Sequence, residues 1–150
     1  MGQQQLLLLV LGIVIVGLAV VVGIQAFSEN QKKSNEDAIV NDGMRIASDI
    51  QSWALKPTTF DGGNGDFHVG DATTGALVSF ADFGYEEDSG FYNNANGTFA
   101  LTAVGDGIEI LGYNYSTEVA MAVVVCGMET GDISTVNPGY PPLNGSSSCP

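Results

Sequence analysis

Basic side chains are scarce in this sequence, and they stop early. The 150 residues carry four Lys and Arg against 17 Asp and Glu, for a formal net charge of −13. All four (Lys32, Lys33, Arg45 and Lys56) precede Pro57, and from there to Pro150 twelve acidic residues have no Lys or Arg to answer them. A surface of that sign repels phosphate, which argues against nucleic acid as a partner and against anionic lipid for this part. It suits a divalent cation, a basic partner or high salt, where repulsion is screened. Histidine occurs once, as His68, so a two-histidine metal site is excluded. The chain has no CxxCH for haem attachment, no GxGxxG and no glycine-rich loop ending in Lys-Ser/Thr for phosphate. No catalytic residue, enzymatic activity or cofactor is expected.

What the sequence does have is a long apolar run. Residues 6–24, LLLLVLGIVIVGLAVVVGI, contain no charged or hydrogen-bonding side chain over 19 positions. As a helix this run reaches roughly 28 Å, about the hydrocarbon thickness of a bilayer. A cleaved secretory signal needs a basic start and a shorter apolar core, and residues 1–5 (MGQQQ) carry no Lys or Arg. Two readings remain, a single-pass membrane anchor and a helix that leaves the membrane to pack among copies of itself. Gly12, Gly17 and Gly23 are not at GxxxG spacing, so no small-residue dimer face is claimed; local unwinding is cheapest between them.

Residues 28–37, SENQKKSNED, are polar on every side and read as a solvated helix turn or a collar. A helical stripe follows: Ile39, Gly43, Ile46 and Ala47, Ile50, Trp53 and Ala54 recur at spacings of three and four. Lys56 precedes Pro57, which disfavours helix, so the rod is predicted to stop there. Continuous from Gln3 to Leu55, it would be roughly 80 Å long, apolar all round in its first half and on one stripe in its second. The first half is expected to project and the second to lie along a domain.

Beyond Thr58 the chain turns to Gly, Asn, Asp, Thr and short β-type runs. Residues 57–150 suffice for one modest core. Strands are predicted over 77–83 and 98–104, then a hairpin through Val104-Gly105-Asp106-Gly107, where Asp-Gly favours a tight turn, into 108–113, and a central strand over 118–126, EVAMAVVVC. The fold class is α+β: a long helix whose amphipathic half packs on a small antiparallel sheet of four or so strands. Trp53 and Phe60 are expected in the core between them. Residues 131–150 read as irregular chain. The organisation is therefore 1–27 as apolar membrane or polymerisation helix, 28–56 as its amphipathic continuation, and 57–150 as an acidic β-domain with an irregular tail.

Among individual residues, Asp61, Asn64, Asp66 and Asp71 are weak candidates for a Ca²⁺ site; they lack EF-hand spacing, and solvated turn residues are the plainer reading. The Glu86-Glu87-Asp88 run reads as a solvated loop. A disulfide between Cys126 and Cys149 would tie the tail to a strand end; the alternatives are two thiols or an intermolecular bond. Asn-x-Ser/Thr triplets at Asn96, Asn114 and Asn144 are candidate glycosylation sites.

A short polar N-terminus, an uninterrupted apolar helix, an amphipathic continuation and a small antiparallel sheet with a C-terminal disulfide together resemble a bacterial type IV pilin or pseudopilin. The architecture is similar over the whole chain, the sequence pattern over residues 1–53; archaeal pilins share the apolar helix. The resemblance implies trimming by a prepilin peptidase and methylation of the new N-terminus, here Met1. It implies passage from the inner membrane, through the pilus assembly machinery, into an extracellular helical filament used for cell adhesion, motility or scaffolding. The family places a glutamate close to the mature N-terminus, where it pairs with a neighbour's amine. With Met1 as that terminus the residue is Gln5, neutral yet able to accept a hydrogen bond; with cleavage after Gly2 it is Leu7, which is not. The proline that often interrupts the family's helix is absent, and Gly17 or Gly23 would serve instead. Gln5, Leu6, Leu9, Ile13, Val16, Val20 and Ile24 are the residues expected to pack between subunits.

Out of lipid, an all-apolar rod must bury its surface, at roughly 25 cal/mol per Å². Packing with identical rods does so on every side, and a heterologous screw contact continues indefinitely. Lys32 and Lys33 follow the apolar run, against the usual cytoplasmic retention of basic residues, and a basic leader lost on processing would explain the orientation. The expected function is the major structural subunit of a pilus-like filament. The alternatives are a monomeric membrane-anchored surface binding module and a minor pseudopilin of a secretion system.

Overall fold

The computed structural model describes residues 2–69, 76–136 and 149. Helix α1 runs over Gly2–Ala54, 53 residues, and no proline precedes Pro57 to break its hydrogen-bond ladder. Gly12, Gly17 and Gly23 do not interrupt it. The chain divides into two compact units, Met1–Ser34 and Asn35–Pro150. In the first, every described residue is helical and exposed.

In the second unit the predicted stripe is the buried face of α1: Ile39, Gly43, Ile46, Ala47, Ile50, Trp53 and Ala54, joined by Gln51. The helix ends at Ala54, and its carbonyls are satisfied by the loop that follows. The backbone N–H groups of Gly63, Asn64 and Gly65 donate to the carbonyls of Trp53 (3.3 Å), Lys56 (2.9 Å) and Ala54 (2.7 Å). Gly62 has to be glycine there, because a Cβ would collide with the Lys56 carbonyl. Phe60, expected in the core, is instead 77% exposed. The 3₁₀ turn Thr58–Phe60 that follows Pro57 ends at Asp61 in the left-handed conformation, which redirects the chain before Phe60 can face inward.

Among the described residues eight strands follow: β1 (His68–Val69), β2 (Ala76–Leu77), β3 (Glu87–Asp88), β4 (Phe91–Asn93), β5 (Thr98–Val104), β6 (Gly107–Asn114), β7 (Val119–Val125) and β8 (Ile133–Val136). The pair β1–β2 stands alone; β3 to β8 form one antiparallel six-stranded meander in chain order. The sheet is thus wider than expected at both edges. Ser89-Gly90, both at positive φ, turn Glu87–Asp88 back onto Phe91–Asn93, so the acidic run is partly strand. At the other edge Ile133–Val136, expected to be irregular, pairs with β7. Residues 137–148 lie outside the described residues. All seven residues of β7 are buried, as an interior strand requires.

The hairpin between β5 and β6 turns within the expected 104–107: Val104 pairs with Gly107, and Gly105 takes φ +59° at the first central position. One local expectation is corrected: residues 77–83 are not one strand. Ser79 and Asp82 form a capping box, the Ser79 N–H and hydroxyl donating to Asp82 Oδ2 at 2.7 and 2.8 Å, and this opens a 3₁₀ turn over Phe80–Phe83.

Residues 39–54 pack on the sheet face carrying Ile108, Ile110, Met121, Val123 and Val125. Two glycines permit the close approach. A Cβ on Gly43 would collide with Met121, and one on Gly112 would lie 2.9 Å from both Ile39 and Phe99.

Candidate functional site

The apolar run is the first site. Each large aliphatic side chain over residues 6–24, from Leu6 to Ile24, is at least half exposed, Leu11 least at 50% and Leu7 most at 69%. The expected packing residues Leu6, Leu9, Ile13, Val16, Val20 and Ile24 are among them, with Gln5 exposed beside them. No single stripe stands out, since Leu7, Leu8, Leu18 and Val22 are as bare. Burying one such side chain is worth about 1.5–3 kcal/mol, so the run carries on the order of 30 kcal/mol of unspent apolar surface. The helix is long and apolar enough to cross a membrane. Met1 lies outside the described residues.

A second feature is a row of polar contacts along the later part of α1. Asn35 donates to Thr117 Oγ1 at 3.5 Å, the geometric limit. Asp42 Oδ2 accepts from the side-chain amides of Asn94 (2.8 Å) and Asn96 (2.7 Å). Asp49 accepts from the Tyr85 hydroxyl at 2.5 Å. The three helix residues are seven apart, which puts them on one side of the helix. Gln51, nearly buried, donates to the carbonyls of Gly127 (2.7 Å) and Glu129 (3.1 Å) beyond β7. Asp42 and Asp49 are not members of the apolar stripe read from the sequence and lie on the other faces of the helix. Their heptad spacing with Asn35 was the available signal; nothing local marked their partners.

This network bears on the glycosylation triplets. The Asn96 amide is committed to Asp42. Asn114 is 8% exposed; its amide donates to the Asn96 carbonyl at 2.6 Å, and its Oδ1 caps the turn through Ser116 and Thr117. A glycan on Asn114 would break all of these bonds. Asn144 lies outside the described residues.

Of the calcium candidates, Asp71 also lies outside. Asp61 and Asn64 sit at φ +59° and +52° in the loop capping α1. Asp66 Oδ1 accepts the His68 backbone N–H at 3.0 Å and lies 2.8 Å from His68 Nδ1. Burial raises the Asp66 carboxyl, but these hydrogen bonds and the attraction of His68 outweigh it and hold its pKa below the ordinary value. Among the described residues, no three His, Cys, Asp or Glu side chains converge on a point where a metal ion would sit.

Cys126 and Cys149 lie at disulfide-bonding distance with Cα atoms 5.3 Å apart, so the intramolecular pairing is the one realised. Gly107 makes room for it: a Cβ there would collide with Cys149 Sγ and the Val125 carbonyl.

No family model matches the sequence, and comparison with curated proteins and with solved structures finds no match. The long apolar N-terminal helix and the antiparallel sheet agree with the architecture that a pilin resemblance implies.

Proposed function

We propose that this chain is the major structural subunit of an extracellular type IV pilus-like filament, held in the inner membrane before assembly and polymerising through its apolar N-terminal helix. The observation that carries this reading is the complete exposure of the described residues of Met1–Ser34 beside a second unit that closes a core of its own. A helix that is apolar all round is stable in water only when something else surrounds it. Identical helices supply that surrounding without limit, because the contacting patches on each copy differ and the contact therefore propagates. The acidic residues after Pro57 would then form the outer surface.

A second reading keeps residues 6–24 in lipid and makes the chain a membrane-anchored binding module; the span-length apolar helix favours it equally. Electron microscopy of sheared surface material, with mass spectrometry of the particles, separates the two. Filaments composed of this chain are the expected result. Recovery of the chain only as a detergent-soluble monomer would replace the first reading by the second.

A further inference from the structure

The turn between β4 and β5 contains Asn96-Gly97, a chemically labile dipeptide. Glycine has no side chain to shield its backbone nitrogen, which can attack Cγ of the asparagine before it. A C–N bond forms, the Cγ–Nδ2 bond breaks and ammonia leaves. Water then opens the succinimide ring at either carbonyl. The product is aspartate, or isoaspartate with an extra main-chain carbon.

In the folded chain the groups that this attack moves are all engaged. The Gly97 N–H donates to Asn94 Oδ1 at 3.0 Å, and the Asn96 N–H to the same oxygen at 2.9 Å. The Asn96 carbonyl accepts from the Asn114 amide at 2.6 Å. The Asn96 side-chain nitrogen, which would be the leaving group, donates to Asp42 Oδ2 at 2.7 Å. The Asn94 N–H closes the turn on the Gly97 carbonyl at 3.0 Å. The glycine cannot be exchanged, because a Cβ on it would lie 2.6 Å from the Tyr113 carbonyl. Packing therefore fixes the residue that makes the dipeptide labile, and Asp42 takes the amide beside it.

We propose that Asn96 is a succinimide-mediated modification site, shut while Asp42 of α1 holds its amide and open when the β4–β5 turn leaves the helix. Water is the only co-reactant, and the change is one-way. A carboxylate at position 96 meets the Asp42 carboxylate where an amide donor stood, and like charges at hydrogen-bond distance repel. Isoaspartate also lengthens the turn that Asn94 and Gly97 close. A chain converted while undocked is thereby hindered from docking the turn again.

The full chain in detergent, folded and in urea, is incubated, digested and mapped by mass spectrometry for the amide-to-acid gain. Asn96 should convert at least roughly tenfold more slowly in the folded chain, about the factor one such hydrogen bond commands. Asn64-Gly65 is the reference within the same chain, since Asn64 is exposed and is not among the Asp42 partners. Asp42→Ala should raise the folded rate at Asn96 and leave Asn64 unchanged. A rise at both sites would show general unfolding and overturn the role of Asp42. Asn96→Asp should lower the thermal midpoint, and adding Asp42→Asn should restore it, because the pair then holds a single charge. Equal Asn96 rates in the folded and unfolded wild type, or a midpoint that Asp42→Asn fails to restore, would overturn the proposal.

Discussion

Gly63 and Gly17 are the same residue type with opposite prospects. A Cβ on Gly63 would collide with the Asp66 carbonyl and approach the Trp53 ring to 2.8 Å, whereas one on Gly17 meets nothing within 4 Å. Gly63→Ala is expected to destabilise the second unit by about 1–3 kcal/mol, read as a lower thermal midpoint. Gly17→Ala should instead firm the helix by up to about 1 kcal/mol, read by circular dichroism in detergent. Tyr85 makes a pH prediction. Burial, reinforced by the hydrogen bond to Asp49 and its charge, pushes the phenol up to about 12 from 10.0. The folded chain therefore holds that proton more tightly than the unfolded chain. Its contribution is complete below about pH 10 and is lost as pH rises towards 12. Urea unfolding across that range should show the decline in the wild type, and Tyr85→Phe should lack this component.

The strength of an element here depends on what ties it down. The 23-residue separation between Cys126 and Cys149 closes a loop whose constraint is worth about 3 kcal/mol in the chain-entropy account. Cys149→Ser should lower stability by that order, with a two-proton mass gain on reduction confirming the bond in the wild type. For α1, Asp42→Ala strands the amides of Asn94 and Asn96 together, at a cost of about 1–3 kcal/mol. Hydrogen exchange should rise locally at the β4–β5 turn; unchanged protection there would show that water replaces the carboxylate without loss. The helix, its stripe and strands β5 and β7 were legible because long periodic or β-branched runs carry their own signal. The edge strands β3 and β8 were not, since runs of two and four residues are too short to show a period and acquire strand geometry from the neighbour they pair with.

For the molecule as a whole, the decisive question is what covers residues 6–24. Val16 is 63% exposed in the isolated chain. An aspartate there would face hydrocarbon or a neighbouring helix, at a cost of about 3 kcal/mol by membrane-insertion scales. Val16→Asp is expected to empty the filament fraction in a sedimentation assay, while the second unit, which contains neither the residue nor its neighbours, keeps its unfolding transition. Filaments of undiminished yield would show that apolar packing is not what joins the copies.

The sequence alone determined the apolar run, the helical stripe that follows, the strand-rich acidic remainder and two cysteines free to pair, because each is a matter of composition or local period. Tertiary structure decided which polar side chains matter. Gln51, Asp42 and Asp49 become structural only when loops some 36 to 78 residues away arrive at the helix. A cavity beside Trp53 exists only because Tyr85, from the loop before β3, and Tyr92, from β4, arrive at the helix. Periodicity reports where a residue sits on its own element; hydrogen-bond partners and cavities depend on a second element, and no local pattern encodes that meeting.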